Sequence, residues 1–423
     1  MTAFSVERSA ALEGPAWLRA RRAVAAARFA DAELPTVEQE IWRYTPIKDL
    51  DLDEFWRPQR SESGSPSLQN QFVAALGTDR AALVVIVDGW LVSADVGAAA
   101  EAAGVTIGVA DEERRLLEVP DPDALTALHE AFVGDVVVVT VPKGVVVDRP
   151  VVVVQVASGG GTASFPHLVV DAGEQSEVTV LDLWSTSGDG PSFVSPVVEV
   201  QAGQSANVRY VGVQDFGADV WSTGHLLLNP GRDATTNAWV AALGGKFARL
   251  YFAAQLDGQA AAADVAGVYF GEDDQVHDFR SLQDHQASRS VSNLLLKGAV
   301  ADDAHAVYTG MIRVREGAKA TESFLANRNL VLSDGAYVDS VPNLEIVNEN
   351  DIKSCGHAAA TGPVDEEHVF YLESRGVPTD VAERLIVFGF FDEVISAIPV
   401  AGVRAPLREA ISRKLAKVVA ADA

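Results

Sequence analysis

The chain has 423 residues and is 48% hydrophobic, enough for a large buried core and for more than one structural unit. Its 59 acidic residues outnumber 33 basic ones, giving a formal net charge of −26. With no basic stripe to meet phosphates, this balance excludes nucleic acid and anionic membrane surfaces as partners.

The N-terminus, MTAFSVERSAALEG, carries acids early and lacks an apolar h-region, so it is not read as a signal peptide. No run approaches the roughly 18 apolar residues that span a bilayer. One cysteine, Cys355, rules out an internal disulfide framework and any cluster or zinc site built from this chain's thiolates alone. The expected location is the cytoplasm.

Residues 1 to about 60 read as helices. Pro15–Phe29 places Trp17, Leu18, Val24, Ala25 and Phe29 at helical spacing with arginines opposite. Thr36 with Gln39 three residues on has the form of a capping box, predicting a second helix. Residues 59–69 (QRSESGSPSLQ) read as a linker. Ala82–Val87 and Gly104–Val109 are strand candidates around the turn Asp88-Gly89, and Asp121–Phe132 is a further helix. No glycine-rich phosphate loop occurs: Gly159–Gly161 leads into Thr-Ala-Ser without a lysine.

From Asp135 to about Ile346 short β-branched runs follow one another, including Val136–Val141, Val145–Val147, Val151–Val156 and Val178–Leu183. A weak repeat opens at Gly173, Gly203, Gly231 and Gly258, with spacings of 203−173=30, 231−203=28 and 258−231=27. The cue returns at Gly317 and Gly335. Two short strands and a turn per period, without crossover helices, predict a mainly β chain with a right-handed parallel β-helix core; a β-sandwich would not explain the recurrence. Helical regions flank it. The units expected are 1–134 (helical and small α/β), 135–348 (β-helix) and 349–423 (a strand-to-helix switch and a helical domain). A β-helix has open ends, which need caps or a partner chain.

The tract Pro342–Gly389 carries the candidate chemistry. His357 stands two residues after Cys355; a neutral imidazole and a thiol are borderline-to-soft ligands. Read from residues alone, His357 is as well a hydrogen-bonded loop histidine, and Cys355 a small buried hydrophobe. Glu345, Glu349 and Asp351 are hard-ligand candidates with solvation as their ordinary role. His277 and His285, eight apart, are expected on different rungs or faces and are read as structural stacking. Val381–Ile398 is an apolar helix with Phe388, Phe390 and Phe391 clustered, suited either to a core or to docking; Arg375-Gly376 ends the segment before it as a helix C-cap.

Several pieces in order resemble the SufD family of iron–sulfur cluster assembly proteins, within the SufB/SufD superfamily. They are Glu40-Ile-Trp-Arg-Tyr-Thr-Pro46, Val141-Pro-Lys-Gly-Val-Val-Val-Asp-Arg-Pro150, Thr309-Gly-Met-Ile-Arg-Val314 and Arg328-Asn-Leu-Val-Leu-Ser333. Pro342-Asn-Leu-Glu-Ile346, Cys355-Gly-His357, Phe370-Tyr-Leu-Glu-Ser-Arg-Gly376 and Gly389-Phe390 complete the set. The resemblance implies a non-enzymatic scaffold subunit in a SufBCD-type complex, with a role in iron acquisition and complex assembly. Its partners would be a SufB-like paralogue and a SufC-like ATP-binding-cassette ATPase, with a homodimer open to the isolated chain.

The resemblance also implies that His357, with Cys355, faces the paralogue, and that the region of Phe388, Phe390 and Phe391 contacts the ATPase. Iron or a nascent cluster would be held transiently, with no tightly bound cofactor in the isolated chain. Gly356 and Ala358 depart from the family's commoner Cys-Ser-His-Gly spelling. The alternative is a β-helical polysaccharide lyase or hydrolase, which would need paired acids in a groove; the repeats carry Ala, Gly and Thr where those would recur.

Overall fold

The computed structural model describes residues 3–60, 71–347 and 351–421; of the expected linker, 61–69 lie outside the described residues. Two long sheets face each other. The first runs, in spatial order, β2 (Trp90–Val96), β1 (Ala82–Val87), β5 (Val151–Ala157), β8 (Glu177–Thr186), β11 (Asn207–Asp215), β13 (Thr235–Ala242), β15 (Ala262–Gly271), β17 (Val291–Val300), β19 (Glu322–Val331) and β21 (Ser354–Gly362). The chain alternates between the sheets. The second runs β20 (Tyr337–Ile346), β18 (His305–Val314), β16 (Val276–His285), β14 (Phe247–Leu256), β12 (Val220–Pro230), β10 (Val197–Ala202), β7 (His167–Ala172), β4 (Val136–Val141) and β3 (Thr106–Val109). Short β6 (Ala163–Ser164) and β9 (Ser192–Val194) pair beside β12.

Pairing is parallel except at the N-terminal edges, where β1–β2 and β3–β4 are antiparallel. The pairs β4/β5, β7/β8, β10/β11, β12/β13, β14/β15, β16/β17, β18/β19 and β20/β21 make eight coils of a parallel β-solenoid.

The repeat read from the sequence is one coil. Its glycines are set by packing between coils and not by their own φ. A Cβ at Gly258 would lie 2.3 Å from the Gly231 carbonyl carbon, and one at Gly203 2.8 Å from Glu174 N. The left-handed residue of each turn comes two positions later, at Gln175, Ser205, Asp233 and Ala260. Glycine is therefore required where neighbouring coils touch backbone to backbone.

Alternate side chains point inward and fill the lumen with Val, Leu, Ala and Phe. Polar groups intrude at two places. On β8, Asp182 is fully buried; Gln155 Nε2 donates to its two oxygens at 2.9 and 3.0 Å, and the Tyr210 hydroxyl donates at 2.8 Å. Burial pushes its carboxyl up to about 7. In the last coils the lumen becomes a hydrogen-bonded network. Gln283 Nε2 donates to Ser292 Oγ at 2.7 Å, Ser292 and Ser323 share a bond of 2.9 Å, and Asn329 Nδ2 donates to Asn327 Oδ1 at 2.8 Å.

Helices cover the outer faces. On the first sheet lie α3 (Gln71–Leu76), α7 (Thr379–Ile395) and α8 (Ala401–Ala421), which bury Phe72, Val387, Phe391 and Leu407 against Leu181, Val211 and Phe270. On the second lie α1 (Val6–Ala10), α2 (Ala16–Asp31) and α5 (Ala124–Phe132). Asp123 and Thr126 form a reciprocal capping box at the start of α5. A buried chain fastens α5 to the sheet: His129 Nε2 meets His167 Nδ1 at 3.1 Å, and His167 Nε2 meets Glu199 at 3.0 Å. Small α4 (Ala98–Ala102) closes the N-terminal mouth, and α6 (Glu366–Ser374) precedes α7.

The helix predicted after Thr36 does not form. That stretch is a turn followed by 3-10 turns at Glu40–Trp42, Ile47–Asp49 and Leu52–Glu54. Trp42, Ile47, Leu50, Leu52 and Phe55 all enter one cluster, yet their spacings of 5, 3, 2 and 3 follow no helical stripe. Tertiary anchoring overrides the local capping signal. Val145–Val147, read as a strand run, likewise forms a turn with an isolated bridge at Val146.

Candidate functional site

The C-terminal end of the solenoid is where the candidate residues gather. The last coil is β20 and β21; among the described residues β20 pairs only with β18 and β21 only with β19. Each presents a free edge of backbone N–H and C=O groups. Register sets which side chains face the lumen. Cys355 continues the row of Ser292 and Ser323, and His357 continues the row of Leu294 and Leu325, both lumen residues. Cys355 and His357 therefore share the inward face, about 7 Å apart along the strand (two rises of roughly 3.3 Å).

No further coil covers that row. Cys355 is half-buried against the lumen cluster, and partial burial pushes its thiol up, so it stays protonated alone near neutral pH. His357 is exposed and has no hydrogen-bond partner among the described residues. It stands in a strand, with a free imidazole at the mouth. The sequence left open a hydrogen-bonded loop histidine, a reading that treats the strand as a loop.

The neighbouring acids are already paired. Glu345 points outward and accepts from Arg313 Nε at 2.9 Å, and Asp351 lies 3.0 Å from Lys319 Nζ. Glu349 lies outside the described residues. Among the described residues no three His, Cys, Asp or Glu converge on a metal-sized point. The chain brings Cys355 and His357 to one face, and among the described residues no third donor joins them.

His277 and His285 both lie on β16 and both face inward, so they share a strand and a face, about 26 Å apart by strand rise. The expectation of different rungs or faces is corrected by the length of the strand, ten residues without a break. Their structural role holds. His277 stacks on Phe279 and neighbours Tyr269, with burial lowering it to about 3; the Phe270 carbonyl is a marginal neighbour and not a well-formed hydrogen-bond partner. His285 bonds Ser290 and Ser292 at 2.7 and 2.8 Å.

On α7 the three phenylalanines divide. Phe391 is buried against Phe270, with ring centroids 6.5 Å apart. Phe388 and Phe390 are half-buried; Lys297 Nζ donates to the Phe390 carbonyl at 2.8 Å and lies 4.7 Å from its ring centroid. The exposed apolar side chains nearby are Phe370 (71%), Tyr371 (55%) and Leu385 (52%). In the sequence Phe370 and Tyr371 enter only as part of a family motif; in the structure α6 buries none of its residues.

Comparison with known proteins covers nearly the whole chain. Residues 154–390 match the family described as "SUF system FeS cluster assembly, SufBD core domain", and residues 6–153 match the "SufBD protein N-terminal region". An iron-sulfur cluster assembly SufBD family protein of Mycobacterium tuberculosis is 34% identical over 395 residues, 90% of each chain. The iron-sulfur cluster assembly protein SufD of Escherichia coli is 28% identical over 387 residues, 90% of this chain and 89% of its own. That of Bacillus subtilis is 31% identical over 314 residues, 70% and 68%.

Proposed function

Because this chain belongs to the SufBD family of iron–sulfur cluster assembly proteins, we propose that it is a scaffold subunit, of the SufD kind, in a SufBCD-type complex that builds nascent clusters. Iron and the growing cluster are its cargo, held transiently and not as a resident cofactor. One observation carries the reading: the solenoid ends in two unpaired strand edges, with Cys355 and His357 on the inward row of the last strand.

The chemistry follows from what the end lacks. A lone thiol and an imidazole are two ligands at most, whereas iron–sulfur clusters are usually held by several thiolates. A SufB-like paralogue bringing its own cysteines to the free edges would complete the set. Strand pairing would give such a contact register as well as affinity. His357, exposed and unbonded, can ligate iron without first breaking a hydrogen bond. Cys355 has to lose its proton on binding, which a metal ion promotes. We assign iron acquisition to this pair and no catalytic residue to the chain itself.

The SufC-like ATPase is assigned to the helical tail. Phe388 and Phe390 with exposed Phe370, Tyr371 and Leu385 form its apolar surface, and buried Phe391 anchors α7 to the solenoid beneath. No helix of the described residues is long and apolar enough to cross a membrane, which is consistent with assembly in the cytoplasm. The polysaccharide enzyme is set aside because the family match spans the solenoid.

The test is co-expression with the SufB- and SufC-like partners and purification on one tag. A stable complex is expected; recovery of this chain alone would overturn the scaffold assignment. In that complex, His357→Ala should lower iron and acid-labile sulfide per complex several-fold. An unchanged yield would remove the ligand role.

A further inference from the structure

A cavity of about 190 Å³ lies away from the open mouth, between the outer face of the second sheet and the N-terminal segments that cross it. Its floor is Arg249 on β14, Arg280 on β16 and Thr223 on β12; its lid is the turn at Glu40–Trp42 and the start of α5. The floor is built with care for charge. Buried Asp278 accepts from Arg249 Nη1 at 2.8 Å and from Arg280 Nε at 3.0 Å, so one carboxylate serves two guanidiniums. Arg249 is held further by the Ile41 carbonyl at 2.7 Å and by the Trp42 ring, 3.7 Å from its carbon.

Arg280 is not satisfied in this way. It is buried, and its Nη2 has no hydrogen-bond partner among the described residues; the buried Thr223 hydroxyl has none either. Buried polar groups are nearly always paired in folded proteins, and two orphans on one cavity floor mark a place for a ligand acceptor. Guanidinium and hydroxyl together suit a carboxylate.

The rim is mainly of the opposite sign, and the one further cation on the lining, Arg313, is already paired with Glu345. Asp123 caps α5 and accepts from Trp42 Nε1 at 3.1 Å, Asp121 accepts from the Tyr251 hydroxyl at 3.1 Å, and Glu40 stands exposed at the entrance. These bonds leave carboxylate lone pairs free. An inorganic oxyanion attracted to the floor would meet three acids on the way, and a simple cation would meet the arginines. A molecule with a carboxylate at one end and an ammonium at the other matches both. The volume holds ~6 water-sized groups, about the size of alanine, and lies below the range of drug-sized pockets.

We propose that this cavity binds a small zwitterionic α-amino acid, its carboxylate on Arg280 and Thr223 and its ammonium on the rim of Glu40, Asp121 and Asp123. The experiment is isothermal titration of the full chain with L-alanine, propionate, ethylammonium and inorganic phosphate. L-alanine should bind one to one, with propionate and ethylammonium at least tenfold weaker. Arg280→Lys should weaken L-alanine at least tenfold, and Thr223→Val and Asp121→Asn several-fold each, with melting temperatures held. Asp121 is exposed, so its variant decides the matter even where the Arg280 variant fails to fold. Phosphate binding tighter than L-alanine, no binding by any probe, or L-alanine binding indifferent to Thr223 and Asp121 would each overturn the proposal.

Discussion

The two ends of the solenoid solve the same problem differently. At the N-terminal end the outermost strands, β2 and β3, are antiparallel additions, and the segment between them turns over the mouth, sending Ala100 and Val105 into the lumen cluster. The lumen beneath is largely valine (Val84, Val137, Val151 and Val153), with the buried group of Asp182, Gln155 and Tyr210 set into it. At the C-terminal end both edge strands are ordinary parallel rungs with nothing laid across them among the described residues, and the lumen beneath is the network of Gln283, Ser292, Ser323, Asn327 and Asn329. The closed end keeps its few polar groups buried and bonded to one another. The open end is built from groups that tolerate water, and the exposed Tyr337, Leu344 and Val347 around it would be the apolar share of the proposed interface.

The strongest way to break this contrast is to place the same charge on the inward face at each end. Val153→Asp sets a second carboxyl beside its register partner, the buried Asp182, and should cost about 4 kcal/mol or more, or abolish folding. Ala359→Asp, inward on β21 but exposed, should cost the isolated chain no more than ~0.5 kcal/mol. Urea unfolding followed by circular dichroism reads both. Equal losses would mean that the open end is sealed in solution.

Smaller effects test the coils between. Gly258→Ala forces a Cβ against the Gly231 backbone and should destabilise by about 1–3 kcal/mol. Gly317→Ala, nearer the open end, meets only the Gln286 carbonyl at 3.3 Å and should cost under ~1 kcal/mol. Comparable costs for the two would show that the coils tighten toward the C-terminus.

Asp182 gives a pH signature confined to the closed part. Its carboxyl is raised from 3.8 to about 7 on folding, so the unfolded chain ionises first. The carboxyl's effect on stability is therefore neutral below about pH 4, falls between pH 4 and 7, and is level above that. Asp182→Asn should match the wild type near pH 4 and exceed it at pH 8 by about 1–3 kcal/mol, since Gln155 and Tyr210 still find an acceptor. A difference that does not change with pH would mean that Asp182 ionises freely in the fold.

What the sequence made legible was periodic. Gly173, Gly203, Gly231 and Gly258 recur because every coil meets its neighbour at the same backbone contact, so fold and repeat could be read together. The candidate site was legible only as residues. Which face His357 takes depends on its pairing with Leu325, 32 positions away, and no local pattern reports register. His277 and His285 are expected on different rungs or faces because the sequence does not show that one strand runs unbroken through both. Phe391 is not divided from Phe388 and Phe390 because the face of α7 that meets the sheet is set by tertiary packing. The Thr36 signal failed for a related reason, because Trp42, Ile47 and Phe55 are placed by the surface they meet.

The smallest effect on stability is also the most informative about function. His357 is exposed and unbonded among the described residues, so His357→Ala should change the unfolding free energy of the isolated chain by no more than ~0.5 kcal/mol. Ala359→Asp, two residues along the same inward row, should be equally silent in the isolated chain. In the complex the two should part. A charge at Ala359 lies where a paralogue would cover the mouth, so it should reduce co-purification with the SufB-like partner. Loss of the His357 imidazole should leave co-purification intact and lower the iron retained. Parallel losses in both assays would make His357 an interface contact and not an iron ligand, whereas separation of binding from loading would mark the open end as half of a metal site.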